Sequence, residues 1–107
     1  MFKVLLTNIL VDNAMFKWIK LNADEKAKKL KMKRLPSNME KGVGFLKHVK
    51  INDIQKAYEN DSVSLLPDIV ISKYRDTGYY YVIDGRHRTV VAICNDKQQI
   101  SATLLGN

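Results

Sequence analysis

The stretch "GYYYVIDGRHRTVVAI", Gly78 to Ile93, decides how the rest of this chain is read. Aromatic and β-branched residues run from Tyr79 to Ile83, a composition that suits a pleated strand. Asp84-Gly85 stops the run. Arg86, His87 and Arg88 follow at once, and "RTVVAICN" then carries Val90, Ile93 and Cys94 on one helical face. A strand therefore enters a glycine and leaves it as a helix with a basic first turn. The first N–H groups of a helix have no partner inside it, and that end carries partial positive charge. It is a place where a backbone can hold an anion. Gly85 lets the chain turn sharply and lets an anion approach. Arg86 and Arg88 offer forked donors that match phosphate oxygens. Thr89 adds a hydroxyl in the first turn, and His87 can donate to a phosphate or position a nucleophile. The plainer alternative is a strand–glycine–helix junction with solvated arginines, which so short a motif does not exclude.

Working outward, "DIVIS" reads as a strand and "KYRDTG" as a turn with Asp76 and Gly78 as its formers. The short connection makes this strand and "YYYVID" antiparallel. Downstream, "NDKQQ" is a turn and "ISATLL" a closing strand. Upstream, Asn52 and Gln55 have the spacing of a capping box opening "DIQKAYEN", with Ile54 and Tyr58 facing the core. Asn22 and Glu25 repeat that pattern before "ADEKAKKLKM", a helix with a thin Ala23/Ala27/Leu30 stripe ended by Pro36. "FKWIKL" alternates like a short strand, and "FKVLLTNILV" supplies one or two more. The expected fold is α+β, a small mixed sheet with flanking helices, built as a single domain over residues 1–107.

The chain has 107 residues and a net charge of +7. Up to Lys56 there are 13 Lys/Arg against 5 Asp/Glu, and beyond it 5 against 6. The first half thus carries +8 and the second −1, and a basic lobe attracts polyanions such as DNA, nucleotides or acidic proteins. Six basic residues crowd the nine positions from Lys26 to Arg34: Lys26, Lys28, Lys29, Lys31, Lys33 and Arg34. They can track a nucleic-acid backbone, dock an acidic protein surface, or simply solvate a helix. No apolar run reaches membrane-spanning length, and the N-terminus makes a poor signal peptide. With one cysteine, Cys94, the protein is expected to be soluble and cytoplasmic, without membrane contact. His48, His87 and Cys94 lack metal-ligand spacing, so no metal centre is expected from them. Tyr79 and Tyr81 point to one face of their strand and Tyr80 to the other, mainly as packing residues. Asp84 is read first as a turn-former that caps the helix, and second as a catalytic base or a water-mediated Mg2+ ligand.

The string "INDIQKAYENDSVSLLPDIVISKYRDTGYYYVIDGRHR" resembles the ParB/sulfiredoxin superfamily in its order of helix, proline-led strand, short turn, strand and basic loop. "ISATLL" is similar to that superfamily's closing strand. The resemblance covers about Lys50 to Leu105, with residues 1–49 as a basic N-terminal portion outside it. It implies a nucleotide phosphate held over Gly85, Arg86, His87 and Arg88. Lys50 falls where sulfiredoxins open the preceding helix with a lysine. Sulfiredoxins carry their catalytic cysteine where this chain has Arg86, so sulfinic acid reduction is not expected. Partition ParB proteins continue into a helix-turn-helix, and with the chain ending at Asn107 a complete partition protein is not expected either.

Three functions stay open. The leading one is binding of ATP or another NTP with Mg2+ at Lys50 and Gly85–Thr89, with hydrolysis or phosphoryl transfer assisted by Asp84 and His87. The second is a ParB-like DNA-binding protein or nuclease. The third is a non-enzymatic scaffold that uses its basic lobe to bind a protein.

Overall fold

The structure is a computed structural model, and it describes residues 2–23 and 32–106. Five strands form one mixed sheet: β1 (Phe2–Leu5), β2 (Ile9–Leu10), β3 (Ile69–Tyr74), β4 (Tyr79–Asp84) and β5 (Gln99–Leu104). Their order across the sheet is β1-β5-β3-β4-β2. β1 pairs antiparallel with β5 and β3 with β4, whereas β5–β3 and β4–β2 are parallel. Three helices complete the described fold: α1 (Asn13–Asn22), α2 (His48–Glu59) and α3 (Arg86–Cys94). The fold is thus α+β, a small mixed sheet with flanking helices. No helix among the described residues is long and apolar enough to cross a membrane.

α3 is the centre of the packing. Thr89, Val90, Val91, Ala92 and Ile93 are all buried, as expected of a helix covered on several sides, and it contacts both α1 and α2. Beneath it lie Ile69 and Ile71 of β3, Ile9, Val4 and Ala102. The alternation in β3 puts Ile69 and Ile71 on the buried face, the period-2 pattern of a half-covered strand. β3 continues through Lys73 and Tyr74, so the turn is shorter than "KYRDTG" and spans residues 75–78. Thr77 holds it, its hydroxyl donating to Tyr74 O at 2.6 Å and accepting from Tyr79 N at 3.1 Å.

The first half departs from the sequence expectation. "FKWIKL" is helical, within α1, not a strand. Asp12 sets the start: its Oδ1 accepts from Met15 N at 2.9 Å, an N-cap bond. Met15 and Ile19, four apart, are buried, and Phe16 and Trp18 pack half-buried beside them. A six-residue alternation is too short to distinguish this stripe from a strand face. Asn22 is consequently the last residue of α1, not the cap of a following helix, and its amide donates to Trp18 O at 3.0 Å. The expected helix beyond Ala23 lies largely in residues 24–31, outside the described residues; Met32, at its expected end, is not helical.

α2 also begins earlier than its capping-box spacing predicts. It opens at His48, so Asn52 and Gln55 lie inside it. Ile51 is its buried residue, with Tyr58 half-buried on the core. Gln55 turns instead to Asn95 at the end of α3, which donates to Gln55 Oε1 at 2.7 Å. That amide pair ties α2 to α3 and so fixes one wall of the site described next.

Candidate functional site: a cleft at the α3 N-terminus

β4 delivers the chain to the site through a bulge. One step along β3, from Val70 to Ile71, corresponds to two steps along β4, from Asp84 to Val82. Such an extra residue bends a strand end and re-aims its side chains. Gly85 then takes φ 112° as the N-cap of α3. A Cβ there would lie 2.5 Å from Ile69 Cγ2 and 2.8 Å from Ile69 Cβ. Glycine is therefore required twice, for the backbone angle and for the approach to β3. α3 has no side-chain N-cap bond and no acidic residue in its first turn, which leaves that end its positive character.

Asp84 does not cap the helix. Its carboxylate pairs with Arg88 at 3.2 Å, one turn on, and its side chain is 74% exposed. A glycine already occupies the cap position, so the aspartate has no first-turn N–H in reach.

The basic residues of the loop divide between support and cleft. Arg86 Nε donates to Asp12 Oδ2 at 2.6 Å, and its Nη2 donates to Gly44 O at 2.8 Å. Asp12 is buried, so one carboxylate caps α1 and anchors Arg86. Arg88 Nη1 donates to Pro67 O at 2.6 Å and Asp68 O at 2.9 Å, which clamps the approach to β3. Thr89 is fully buried, and its hydroxyl donates to Gly85 O at 2.9 Å. These three side chains build the junction with the donors just named.

His87 is held differently. Its Nε2 accepts from the backbone N–H of Lys47 at 2.9 Å, which leaves the ring proton on Nδ1. Burial, and then the charges of Lys50, Arg86 and Lys47, hold its pKa below the ordinary histidine value. It is neutral at pH 7, in surroundings where added positive charge is disfavoured. With its lone pair already engaged, His87 is placed to donate through Nδ1 rather than to act as a base.

Lys50, Asp53, Ile54, Asp84, Gly85, His87 and Arg88 line a cleft of about 270 Å³ between α2 and the start of α3. Five residues singled out in the sequence thus converge: Lys50, Asp84, Gly85, His87 and Arg88. Arg86 and Thr89 are turned to the support side. Two cations and two carboxylates share the lining. No group of three or more His, Cys, Asp or Glu among the described residues could hold a metal ion.

The lysine-rich cluster is only partly in view. Lys26, Lys28, Lys29 and Lys31 lie outside the described residues. Lys33 Nζ sits 5.1 Å from the Tyr79 ring centre. Arg34 stacks over Phe16 at 4.1 Å and bonds to Asn13 Oδ1. Both cover aromatic rings.

Sequence reasoning missed Asp12 and the strap of residues 40–47. That strap crosses the α3 start through Gly44 and Lys47, and Glu40 accepts from Asn13 N at 2.8 Å. A signal for Asp12 existed: an acid immediately before "NAMF" is a helix cap. Gly42 and Gly44 mark the strap as a loop, but nothing local marks its contact with the start of α3. No protein-family model matches this chain, and no curated protein matches it in sequence.

Proposed function

We propose that the cleft binds the phosphate groups of a nucleotide, an NTP accompanied by Mg2+. The observation that carries this reading is the convergence of an uncapped helix N-terminus, the exposed Lys50 and the neutral donor His87 on one cleft. An anion there would relieve the crowding of Lys50, Arg86 and Lys47 around His87. Asp53 and Asp84 on the same lining favour a phosphate that brings a divalent cation over a bare one. The resemblance to the ParB/sulfiredoxin superfamily points the same way. Binding is better supported than turnover, because the His87 lone pair and one Asp84 oxygen are already engaged.

The test is calorimetric titration with ATP, CTP, GTP and ADP, with and without Mg2+, on the wild type and Lys50→Glu. A charge-assisted contact contributes about 1.5–3 kcal/mol. Its loss should weaken binding roughly ten- to hundredfold, at unchanged Tm because Lys50 is exposed. No heat with any nucleotide, or equal affinity in Lys50→Glu, would refute the assignment. Arg88→Ala is a less clean probe, since it also releases the Pro67 and Asp68 carbonyls. A steep fall of affinity with salt, on DNA but not on mononucleotides, would favour the nucleic-acid reading instead.

A further inference from the structure

A larger hollow adjoins the cleft. Arg88 lines both, and so does α2: Ile54 borders the cleft, and Tyr58, one turn on, borders the hollow. The hollow measures about 530 Å³ and lies between the end of α2, the segment that leads into β3, and β5. Toward the other end of α2 the strap stands in the way, held by the Lys47 N–H on His87 and by Gly44 O on Arg86. A ligand anchored at the start of α3 therefore has its room on the Tyr58 side.

The two compartments differ in character. The cleft has the uncapped helix end and Lys50. The hollow is charge-balanced: Lys3 and Lys97 line it with Asp61 and Asp68, and Arg88 is engaged by Pro67 O, Asp68 O and Asp84. Val63, Leu66 and Ile100 give it half-buried apolar surface. Tyr58 is half-buried beside them, and burial holds its phenol above the ordinary value. The phenol stays protonated and can donate. Among the described residues no hydrogen bond or ion pair engages the Asp68 carboxylate. An apolar hollow of this size with a few convergent polar groups is the usual form of a small-molecule site.

We infer that the hollow takes the nucleoside of a nucleotide whose phosphates lie over the α3 N-terminus, an inference that rests on the phosphate reading of the cleft. The base would lie on Val63, Leu66 and Ile100 against Tyr58, with its polar edge toward Ser64, Gln99 and Ser101. The ribose hydroxyls would donate to Asp68, next to Arg88. Charge sets the direction: phosphates find no net positive charge in the hollow, whereas an uncharged nucleoside loses nothing there. α2 advances roughly 12 Å from Lys50 to Tyr58, a distance that an extended nucleotide spans.

The experiment titrates the full chain calorimetrically with ATP, CTP, GTP and tripolyphosphate in Mg2+. Tripolyphosphate has the three phosphates and no nucleoside. Ser64→Trp fills the hollow from an exposed position, and Asp68→Asn removes the carboxylate; an unchanged Tm keeps both interpretable. At least one NTP should bind about tenfold or more tighter than tripolyphosphate. Each variant should weaken that NTP by about tenfold or more and leave tripolyphosphate unchanged. Lys50→Glu should weaken both ligands. Tripolyphosphate binding as tightly as every NTP, or NTP affinity indifferent to Ser64→Trp and Asp68→Asn, would overturn the nucleoside placement and leave the phosphate reading standing. NTP binding lost in Ser64→Trp but equal in Lys50→Glu would support the hollow and overturn the phosphate cleft. No heat with any of these ligands would overturn both.

Discussion

Gly85→Ala probes the junction on which the cleft depends. At φ 112° the backbone of residue 85 is in the left-handed region, which costs a residue with a side chain roughly 1–3 kcal/mol. The new methyl carbon would sit 2.5 Å from Ile69 Cγ2 and 2.8 Å from Ile69 Cβ, well inside the ordinary separation of about 3.5–4.0 Å. Ile69 has little room to yield: it is 1% exposed, and its strand is bonded to β4 on one side and β5 on the other. Overpacking at such a place costs about 1–3 kcal/mol. Against this, alanine restricts the unfolded chain and recovers about 0.4–1 kcal/mol. The net loss is about 1–5 kcal/mol, and Tm should drop by roughly 4 °C or more for a domain of this size. Urea denaturation followed by circular dichroism measures it. A loss below about 0.5 kcal/mol, the range of an ordinary surface substitution, would refute the close contact with β3. In an Ile69→Ala background the Cγ2 contact is gone and the penalty should shrink; an unchanged penalty would assign it to the backbone angle and to the Cβ contact at 2.8 Å, which alanine retains.

Two further outcomes concern Arg86, on the support side, and His87, in the cleft. Arg86→Ala leaves the buried Asp12 carboxylate with only the Met15 N–H, and because the Arg86 side chain is 20% exposed the cost should fall near the low end for such pairs, roughly 2–3 kcal/mol. A double-mutant cycle with Asp12→Asn, which retains the cap, should show coupling above about 0.5 kcal/mol, and strict additivity would remove the pair from the account. His87 predicts an acid limb in stability: the unfolded chain protonates near the ordinary value of 6.5, the folded chain only at lower pH. The stability linked to neutral His87 is therefore complete above about pH 6.5 and is lost as pH falls through the folded value. Urea midpoints from pH 8 to 5 should decline less in His87→Gln than in the wild type, and parallel curves would contradict the depressed pKa.

The second half of the chain is legible because its signals are local. Tyr79–Asp84, Gly85 and the apolar run from Val90 to Ile93 each declare their own conformation, and turn residues separate them. The first half is less so, for a physical reason. In "DNAMFKWIKLN" the buried residues Met15 and Ile19 are one helical turn apart, yet Phe16, Trp18 and Lys20 also alternate with Lys17, Ile19 and Leu21; only packing against α3 and the Asp12 cap select the helix. The cleft divides similarly. Gly85, His87 and Arg88 are readable as neighbours because strand, glycine and basic first turn adjoin one another in the sequence. The diversion of Arg86 to Asp12 and of Arg88 to two backbone carbonyls is not, since each depends on segments distant in sequence.

Those contacts also differ in the length of chain they close. Arg88 reaches back 21 residues to Pro67, His87 40 residues to Lys47, and Arg86 74 residues to Asp12. Closing a longer loop costs more chain entropy before its contacts compensate. The β3–β4 hairpin with α3 can form from contiguous chain, whereas the strap and the α1 start close longer loops. As the chain is made from its N-terminus, Asp12 waits without its partner until Arg86 has been added. The residues that line the cleft fall between Lys50 and Arg88, so it closes over shorter loops than the Arg86–Asp12 pair or the β1–β5 pairing of Phe2 with Ala102.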